Sequence, residues 1–138
     1  MADRFSTRKR QRIMQTVRTR DTAPEQALKA ALRDLGVVFE QNTTQLPGTP
    51  DFFFPDCATV VFVHGCFWHG HQACPKGRNR PKTNKRFWQN KLRENLRRDR
   101  RVARELRAMG LSVYTVWECE IKQFGLPTRL RSRLLARD

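Results

Sequence analysis

The stretch from Leu46 to Gly65, LPGTPDFFFPDCATVVFVHG, contains the two segments that decide the fold of this chain. The turn residues of LPGTPD lead into a first apolar run at Asp51–Phe54, and the turn PDC separates it from a second run at Thr59–His64. The second run is apolar at successive positions, which is typical of a strand buried on both faces. We therefore predict two consecutive strands, the second of them in the middle of a sheet.

Helices and further strands are predicted on both sides of this stretch. Residues 22–36 have a helical apolar period, with Thr22 and Glu25 spaced as a capping box and Gly36 suited to end the helix. The other predicted elements are a strand at Val37–Gln41, an exposed loop at Pro75–Lys85, a helix from about Asn84 to Met109, a strand at 111–119 and a short helix at Pro127–Ala136. This order, α-β-β-β-α-β-α, predicts an α/β fold with a mixed sheet flanked by helices, forming a single domain from residue 21 to residue 138.

The charge of the chain points to a polyanionic partner. Lys and Arg number 28 against 13 Asp and Glu in 138 residues, a formal charge of +15. No apolar run approaches the roughly 20 residues that span a bilayer, so we favour nucleic acid over membrane and expect a cytoplasmic protein. Residues 1–20 include seven basic residues between Arg4 and Arg20, and we predict a basic arm that stays mobile until it meets its partner.

All three histidines and two of the four cysteines fall within HGCFWHGHQAC, residues 64–74. Cytosolic cysteines stay reduced, so those close to histidines are better candidates for metal binding than for disulfides. Zn²⁺ takes four tetrahedral N or S ligands. The spacing allows a local set of Cys66, His69, His71 and Cys74, and it equally allows three of these with the distant Cys119. Any histidine left free would lie next to a rigid loop, where it could act as a base.

The elements around Asp51 resemble those of the restriction-endonuclease-like nucleases. A helix with an acid at Glu25, a strand that opens with Pro-Asp and a strand that ends in His64 follow one another along the chain. In such folds an aspartate holds Mg²⁺ against the scissile phosphate. The usual second acid and lysine of the third strand are absent from VVFVHG, so a histidine would have to replace them.

Aromatic and arginine residues are concentrated in the most basic segments. Phe67, Trp68, Phe87 and Trp88 lie in or beside such segments, a pattern that favours stacking on bases or insertion into a duplex. Trp117 lies in an apolar strand, and we assign it to the core. Between Lys76 and Arg107 there are 14 basic and three acidic residues. The basic residues that we expect on the DNA backbone are Arg93, Arg97, Arg100 and Arg101.

Several of these segments resemble one known family. TRDTAPE, LPGTPDF, VVFVHGCFWHGHQAC, FWQNKLREN, RDRR and VWEC follow one another here as they do in the very short patch repair (Vsr) DNA mismatch endonucleases. The similarity extends from about Ser6 to Cys119, and a run such as HGCFWH is highly specific. The resemblance implies a restriction-endonuclease-like fold with a structural zinc site.

The resemblance also implies catalytic roles. Asp51 and the main-chain carbonyl of Val63 would hold Mg²⁺, His69 would activate water while Glu25 orients it, and His64 would assist at the scissile phosphate. The family commonly has threonine at position 63. Valine keeps the carbonyl and lacks the hydroxyl, so the departure affects only a side-chain role.

Further roles follow from the same resemblance. One structural Zn²⁺ would be held by Cys66, His71, Cys74 and Cys119. Phe67, Trp68 and Trp88 would enter the duplex beside the mismatch, and the basic arm would close over the DNA. The enzyme would be a monomer, and its substrate would be mismatched double-stranded DNA on the bacterial nucleoid. Mismatch-repair proteins would be further partners.

The expected reaction is the nicking of one strand 5′ to the mismatched T of a T:G pair, such as arises when 5-methylcytosine is deaminated. A mismatched step stacks poorly, so inserting aromatic side chains costs least there. Two rival functions are a zinc-stabilised DNA-binding protein without catalysis and a restriction-type enzyme that cuts both strands of paired DNA.

Overall fold

The centre of the fold is a four-stranded mixed sheet. In a computed structural model, which describes residues 22–69, 71–78 and 82–136, the strands are β1 (Glu40–Gln41), β2 (Phe52–Phe54), β3 (Thr59–His64) and β4 (Ser112–Trp117). Their order is β1-β2-β3-β4, with antiparallel pairing of β1 with β2 and of β2 with β3, and parallel pairing of β3 with β4. The predicted mixed sheet with an internal third strand is confirmed. The basic arm predicted for residues 1–20 lies outside the described residues.

Helices connect and cover these strands. They are α1 (Ala23–Leu35), α2 (Pro75–Arg78), α3 (Lys85–Ala108), α4 (Glu118–Phe124) and α5 (Thr128–Leu135), with a 3-10 turn at Pro55–Cys57. Among the described residues, none of the helices combines the length and the apolar character that crossing a bilayer requires.

The sheet is buried on both faces. Leu28 and Leu32 of α1 pack with Phe52, Phe54, Val61 and Val116 of the sheet and with residues of α4 and α5 on one face. On the other face, Val60 packs against Val102 and Leu106 of α3. Neighbouring residues of β3 point to opposite faces, which explains why its sequence is apolar at consecutive positions.

Three of the predicted segments differ from the structure by more than one residue at an end. The predicted strand at Val37–Gln41 is reduced to Glu40–Gln41, and Val37 and Phe39 pack on the core without joining the ladder. The predicted loop at Pro75–Lys85 begins with the short helix α2. The last predicted strand ends at Trp117, where Glu120 accepts a hydrogen bond from the Trp117 main-chain N–H at 3.2 Å and starts α4. Cys119 therefore lies in the first turn of a helix.

The predicted capping box at the start of α1 is wrong. The Thr22 side chain makes no cap hydrogen bond, although Pro24 and the left-handed Gly36 lie at the two ends of the helix as expected. Glu25 is buried, with 4% of its surface exposed, and its carboxyl group hydrogen-bonds to Asp51. Glu25 therefore bonds to Asp51, which is distant in sequence, in place of the start of its own helix.

The strand register places the candidate site residues together. Phe52 pairs with Val61, so Asp51, immediately before β2, lies beside the end of β3. His64 pairs with Trp117, so the loops that follow β3 and β4 begin side by side. The candidate site therefore lies at the carboxyl ends of the two parallel strands.

Candidate active site and metal centre

Four side chains at this end of the sheet form a cluster that could hold a metal ion. The ligating atoms of Cys66, His71, Cys74 and Cys119 all lie within 4.8 Å of one another, and Cys119 Sγ is 3.5 Å from His71 Nδ1. Spacing had left two ligand sets open. The set that the structure brings together includes Cys119 and excludes His69. Three thiols and one imidazole are a donor set that suits tetrahedral coordination.

The backbone around this Cys/His cluster is closely packed. Glu118 Oε1 accepts a hydrogen bond from the Cys66 main-chain N–H at 3.0 Å, and the His71 N–H donates to the Cys66 carbonyl at 2.9 Å. A Cβ on Gly77 would lie 1.9 Å from the His71 carbonyl oxygen, so only glycine fits where α2 crosses this loop.

The thiols of the cluster suit a cation. Burial raises the pKa of Cys66 to about 12, so this thiol stays protonated unless a positive charge lies next to it. The main-chain N–H of Gly77 lowers the pKa of Cys74, which favours its thiolate. Metal binding would therefore release a proton from the buried cysteine.

Asp51 and Glu25 form a buried carboxyl pair. Asp51 Oδ2 accepts a hydrogen bond from the Val63 main-chain N–H at 2.7 Å, which fixes the carboxyl group at the end of β3. Burial, together with the hydrogen bond and negative charge of Glu25, raises the pKa of Asp51 to about 8. Without a cation Asp51 therefore stays largely protonated at neutral pH. Two adjacent carboxyl groups can bind a divalent cation, because carboxylate oxygens are ligands that such cations prefer.

His64 and His69 stack face to face beside this pair. Their ring centroids are 3.7 Å apart and the rings are inclined by 5°. Burial, followed by the charge of His69, lowers the pKa of His64 to about 3, so His64 is neutral throughout the physiological pH range.

Asp99 of α3 holds the second of these histidines. His69 Nδ1 and Asp99 Oδ2 are 2.6 Å apart. Burial alone would raise the pKa of Asp99, but the hydrogen bond to His69 and the electrostatic interactions with His69, His64 and Arg98 together outweigh it, and the pKa falls below its usual range. Because an ionised carboxylate only accepts, Nδ1 carries the hydrogen and Nε2 is left as the basic nitrogen.

This contact departs from the prediction. The resemblance led us to expect Glu25 as the residue that orients His69, whereas the hydrogen bond at His69 Nδ1 goes to Asp99, and Glu25 bonds to Asp51. Asp99 was not among the predicted site residues. The available signal was its position within RDRR, where one acid interrupts a run of arginines.

Trp117 is not a core residue, contrary to the prediction. Its ring stacks on His71 at a centroid distance of 4.1 Å and an angle of 9°. It also meets His64 edge-on at 5.3 Å. Trp117 therefore lies between the Cys/His cluster and the stacked histidines.

The aromatic residues predicted to enter DNA form a cluster of their own. Phe67, Trp68 and Trp88 lie in mutual contact, with ring centroids 5.2 to 5.5 Å apart. Phe87 joins them through Trp88 at 5.1 Å. Phe87 and Trp88 belong to α3, and the Asn95 side chain of the same helix donates to the Trp68 carbonyl at 2.8 Å, which attaches the loop part of this aromatic cluster to α3.

One cleft unites most of these groups. The main cleft, of about 960 Å³, is lined by the carboxyl pair, the stacked histidines, Phe67 and Trp68. Arg98 and Arg101 of α3 also line it. Of the four arginines predicted to contact the DNA backbone, Arg101 lines this cleft. Arg100 lines a neighbouring groove, whereas Arg93 and Arg97 are exposed and line neither.

Comparison with known proteins decides the family. The sequence profile of the family described as DNA mismatch endonuclease Vsr matches residues 2–76. The chain is 44% identical over 135 residues to the type II nicking enzyme V.XorIIP of Xanthomonas oryzae pv. oryzae, covering 97% of this chain and 98% of the relative. This chain belongs to the Vsr family. It is also 39% identical over 122 residues to the DNA mismatch endonuclease Vsr of Escherichia coli K12, covering 88% of this chain and 77% of the relative. To the type II nicking enzyme V.NmeAIP of Neisseria meningitidis it is 38% identical over 135 residues, covering 98% of this chain and 95% of the relative.

Membership of the Vsr family confirms two predictions. The mixed sheet flanked by helices is the restriction-endonuclease-like fold, and the chain is a DNA endonuclease. The arrangement around Asp51 thus lies in a nuclease, as the Pro-Asp strand had indicated.

Asp51→Asn is expected to stabilise this Vsr-family enzyme in magnesium-free buffer, and more so at higher pH. The pKa of Asp51 is about 8 in the folded state against the ordinary 3.8. The folded protein therefore loses stability progressively as the pH rises from about 4 to about 8, because only the unfolded state ionises freely. Asn keeps the shape without the charge. Melting temperatures should differ little at about pH 5 and by several degrees at about pH 8. A variant less stable than wild type at about pH 8 would contradict this account.

Proposed function

We propose that this Vsr-family endonuclease nicks one strand of duplex DNA 5′ to the mismatched T of a T:G pair, in a Mg²⁺-dependent reaction. The nick would begin very short patch repair of deaminated 5-methylcytosine. The observation that carries the proposal is the main cleft, which presents an acidic pair, two histidines and two aromatic rings to one substrate. We place the reaction on the nucleoid in the bacterial cytoplasm, with a monomeric enzyme and mismatch-repair proteins as partners.

The carboxyl pair supports magnesium at the scissile phosphate. Asp51, with the Val63 main-chain carbonyl, would hold Mg²⁺, which when bound neutralises developing charge and polarises water. Asp51 is already fixed by the Val63 N–H at 2.7 Å, so its carboxyl group needs little reorganisation. Glu25 adds a second negative charge beside it.

His69 is the proposed base. Its Nε2 accepts a proton from the attacking water, while the Nδ1–H stays bonded to Asp99 at 2.6 Å. Asp99 fixes the tautomer and stabilises the imidazolium that forms. Neutral His64 packs against the His69 ring and restricts its rotation, and its single N–H can donate to a phosphate oxygen.

Zinc is the proposed occupant of the Cys/His cluster. Cys66, His71, Cys74 and Cys119 would hold it in a closed, structural site. Phe67, Trp68 and His69 lie in the segment between the first two of these ligands. The metal would thereby hold both the aromatic residues and the base in place.

The aromatic cluster supports mismatch recognition. Phe67, Trp68 and Trp88 would insert beside the T:G pair, where unstacking costs less than at a paired step. Trp68 is anchored through Asn95 to α3, so the cluster and the basic helix would move onto DNA together. Selectivity would arise from this difference in the cost of insertion, and overall affinity from charge.

Nicking of a labelled T:G duplex tests the function. With Mg²⁺, wild type should cut one strand 5′ to the mismatched T. Asp51→Ala should slow the cut by roughly 10³-fold, because the loss of a metal ligand removes several kcal/mol of charge stabilisation. Asp56→Ala, which changes an exposed aspartate outside the main cleft, is the matched control and should cut normally. Absence of nicking by wild type would favour a DNA-binding protein without catalysis, and cleavage of both strands of a matched duplex would favour a restriction-type enzyme.

Asp99→Asn tests the orientation of the base. An amide favours the wrong imidazole tautomer, so kcat should fall by roughly 10²-fold or more while KM changes little. Glu94→Gln, at an exposed acid of the same helix, should leave both constants unchanged. Equal rates for Asp99→Asn and wild type would exclude the proposed role of Asp99.

Zinc content tests the metal centre. Wild type should contain one equivalent of zinc, and His71→Ala should lose it, because three thiols alone leave the tetrahedral set incomplete. His69→Ala should keep the metal, since His69 bonds to Asp99 and lies outside the cluster. Metal analysis of the purified variants measures both. The opposite pattern would assign the ligand role to His69.

A further inference from the structure

A second groove opens on the other side of the stacked histidines. It has a volume of about 500 Å³, and it shares His64, His69 and Asp99 with the main cleft. Arg100, Arg104 and Arg107 of α3 line it, and we call it the arginine groove. The proposed base therefore stands at the border between two cavities.

The arginines of the groove form one row along α3. Positions 100, 104 and 107 are four and three residues apart, which places the side chains on one face of a helix. The row extends for about 10 Å along the helix axis. The main cleft receives a different row, which includes Arg98 and Arg101. Helix α3 thus presents separate positive faces to the two cavities.

The guanidinium groups of this row have no ion-pair partner among the residues that the structure describes, which are 22–69, 71–78 and 82–136. Arg100, Arg104 and Arg107 are all exposed. In the main cleft, by contrast, Arg101 lies 3.9 Å from Glu105. The acid that lines the groove is Asp99, and its carboxylate is bonded to His69.

The rest of the groove wall is mainly apolar. Apart from the histidines and Asp99, it consists of Leu96, Ala103 and Trp117, with Thr115 as a polar residue. Positive charge beside an apolar wall suits a sugar-phosphate backbone, since phosphates meet the guanidinium groups and sugars meet the side-chain carbons. The groove therefore favours one strand of nucleic acid over a small free anion.

We propose that the arginine groove binds the backbone phosphates of the cleaved strand on one side of the scissile phosphate. The inference rests on the proposed function, which places the scissile phosphate at His69. A strand that contacts His69 in the main cleft reaches the groove without a gap, because His69 lines both. At 3.4 Å per nucleotide along the duplex axis, a row of about 10 Å spans about three nucleotides.

Binding of a T:G duplex in magnesium-free buffer tests this proposal. The double variant Arg104→Ala/Arg107→Ala should bind roughly tenfold more weakly than wild type, and its plot of log K against log salt between about 50 and 200 mM should be shallower by about 1 to 2. The matched control Arg33→Ala/Arg131→Ala removes the same charge at exposed positions that line neither cavity. It should keep the wild-type affinity and slope. Equal losses in the two double variants would overturn the proposal.

Shortened duplexes identify the strand and the side. The cleaved strand and its complement are trimmed separately, one nucleotide at a time, from either end. For wild type, affinity should step down as the last few nucleotides are removed on one side of the nick in the cleaved strand, and Arg104→Ala/Arg107→Ala should lack this step. A step that persists in the variant, or one found only on the complementary strand, would overturn the proposal. Failure of wild type to nick would instead count against the proposed function, because these binding measurements need no cleavage.

Discussion

The parallel pairing of β3 with β4 is the constraint on which the rest of the site depends. Its register places His64 opposite Trp117, so the two chain segments leave the sheet side by side. The segment after β3 continues into Cys66 and the loop that carries His69 and His71, and the segment after β4 continues into Glu118 and Cys119. The hydrogen bond from the Cys66 N–H to Glu118 closes the junction at 3.0 Å. A shift of one residue would turn His64 to the other face of the sheet and separate it from His69.

Acidic residues are outnumbered by basic ones in this chain, and half of the ten that the structure describes are buried or partly buried within the fold. These five are Glu25 and Asp51, which bond to each other, Asp99 with His69, Glu118 with Lys76 and the Cys66 N–H, and Glu120 with Arg129 and the Trp117 N–H. Exposed Glu105 lies 3.9 Å from Arg101 of the same helix. The arginines of α3 consequently face outward with few counter-charges. The same allocation that assembles the nuclease centre leaves a positive exterior for DNA.

The sequence predicted the features that follow from periodicity, and it missed those that depend on distant partners. The apolar runs located β2 and β3, and the stripe of Leu92 and Leu106 located α3, because both patterns reflect a buried face. Glu25 was assigned to a local cap, since nothing nearby in sequence reveals Asp51 as its partner. Trp117 was assigned to the core for the same reason, whereas its neighbours are His64 at the end of β3 and His71 of the loop that follows. Spacing could not choose the fourth ligand of the Cys/His cluster. The family resemblance chose Cys119, and the structure brings that set together.

The wide sequence separation within the Cys/His cluster has a consequence for biosynthesis. His71 and Cys119 are 48 residues apart, and α3 and β4 lie between them. The cluster cannot close until the ribosome has released both elements, so the basic helix is complete before the loop that carries His69 is fixed. A nascent chain would thus acquire its affinity for polyanions first and its cutting geometry last.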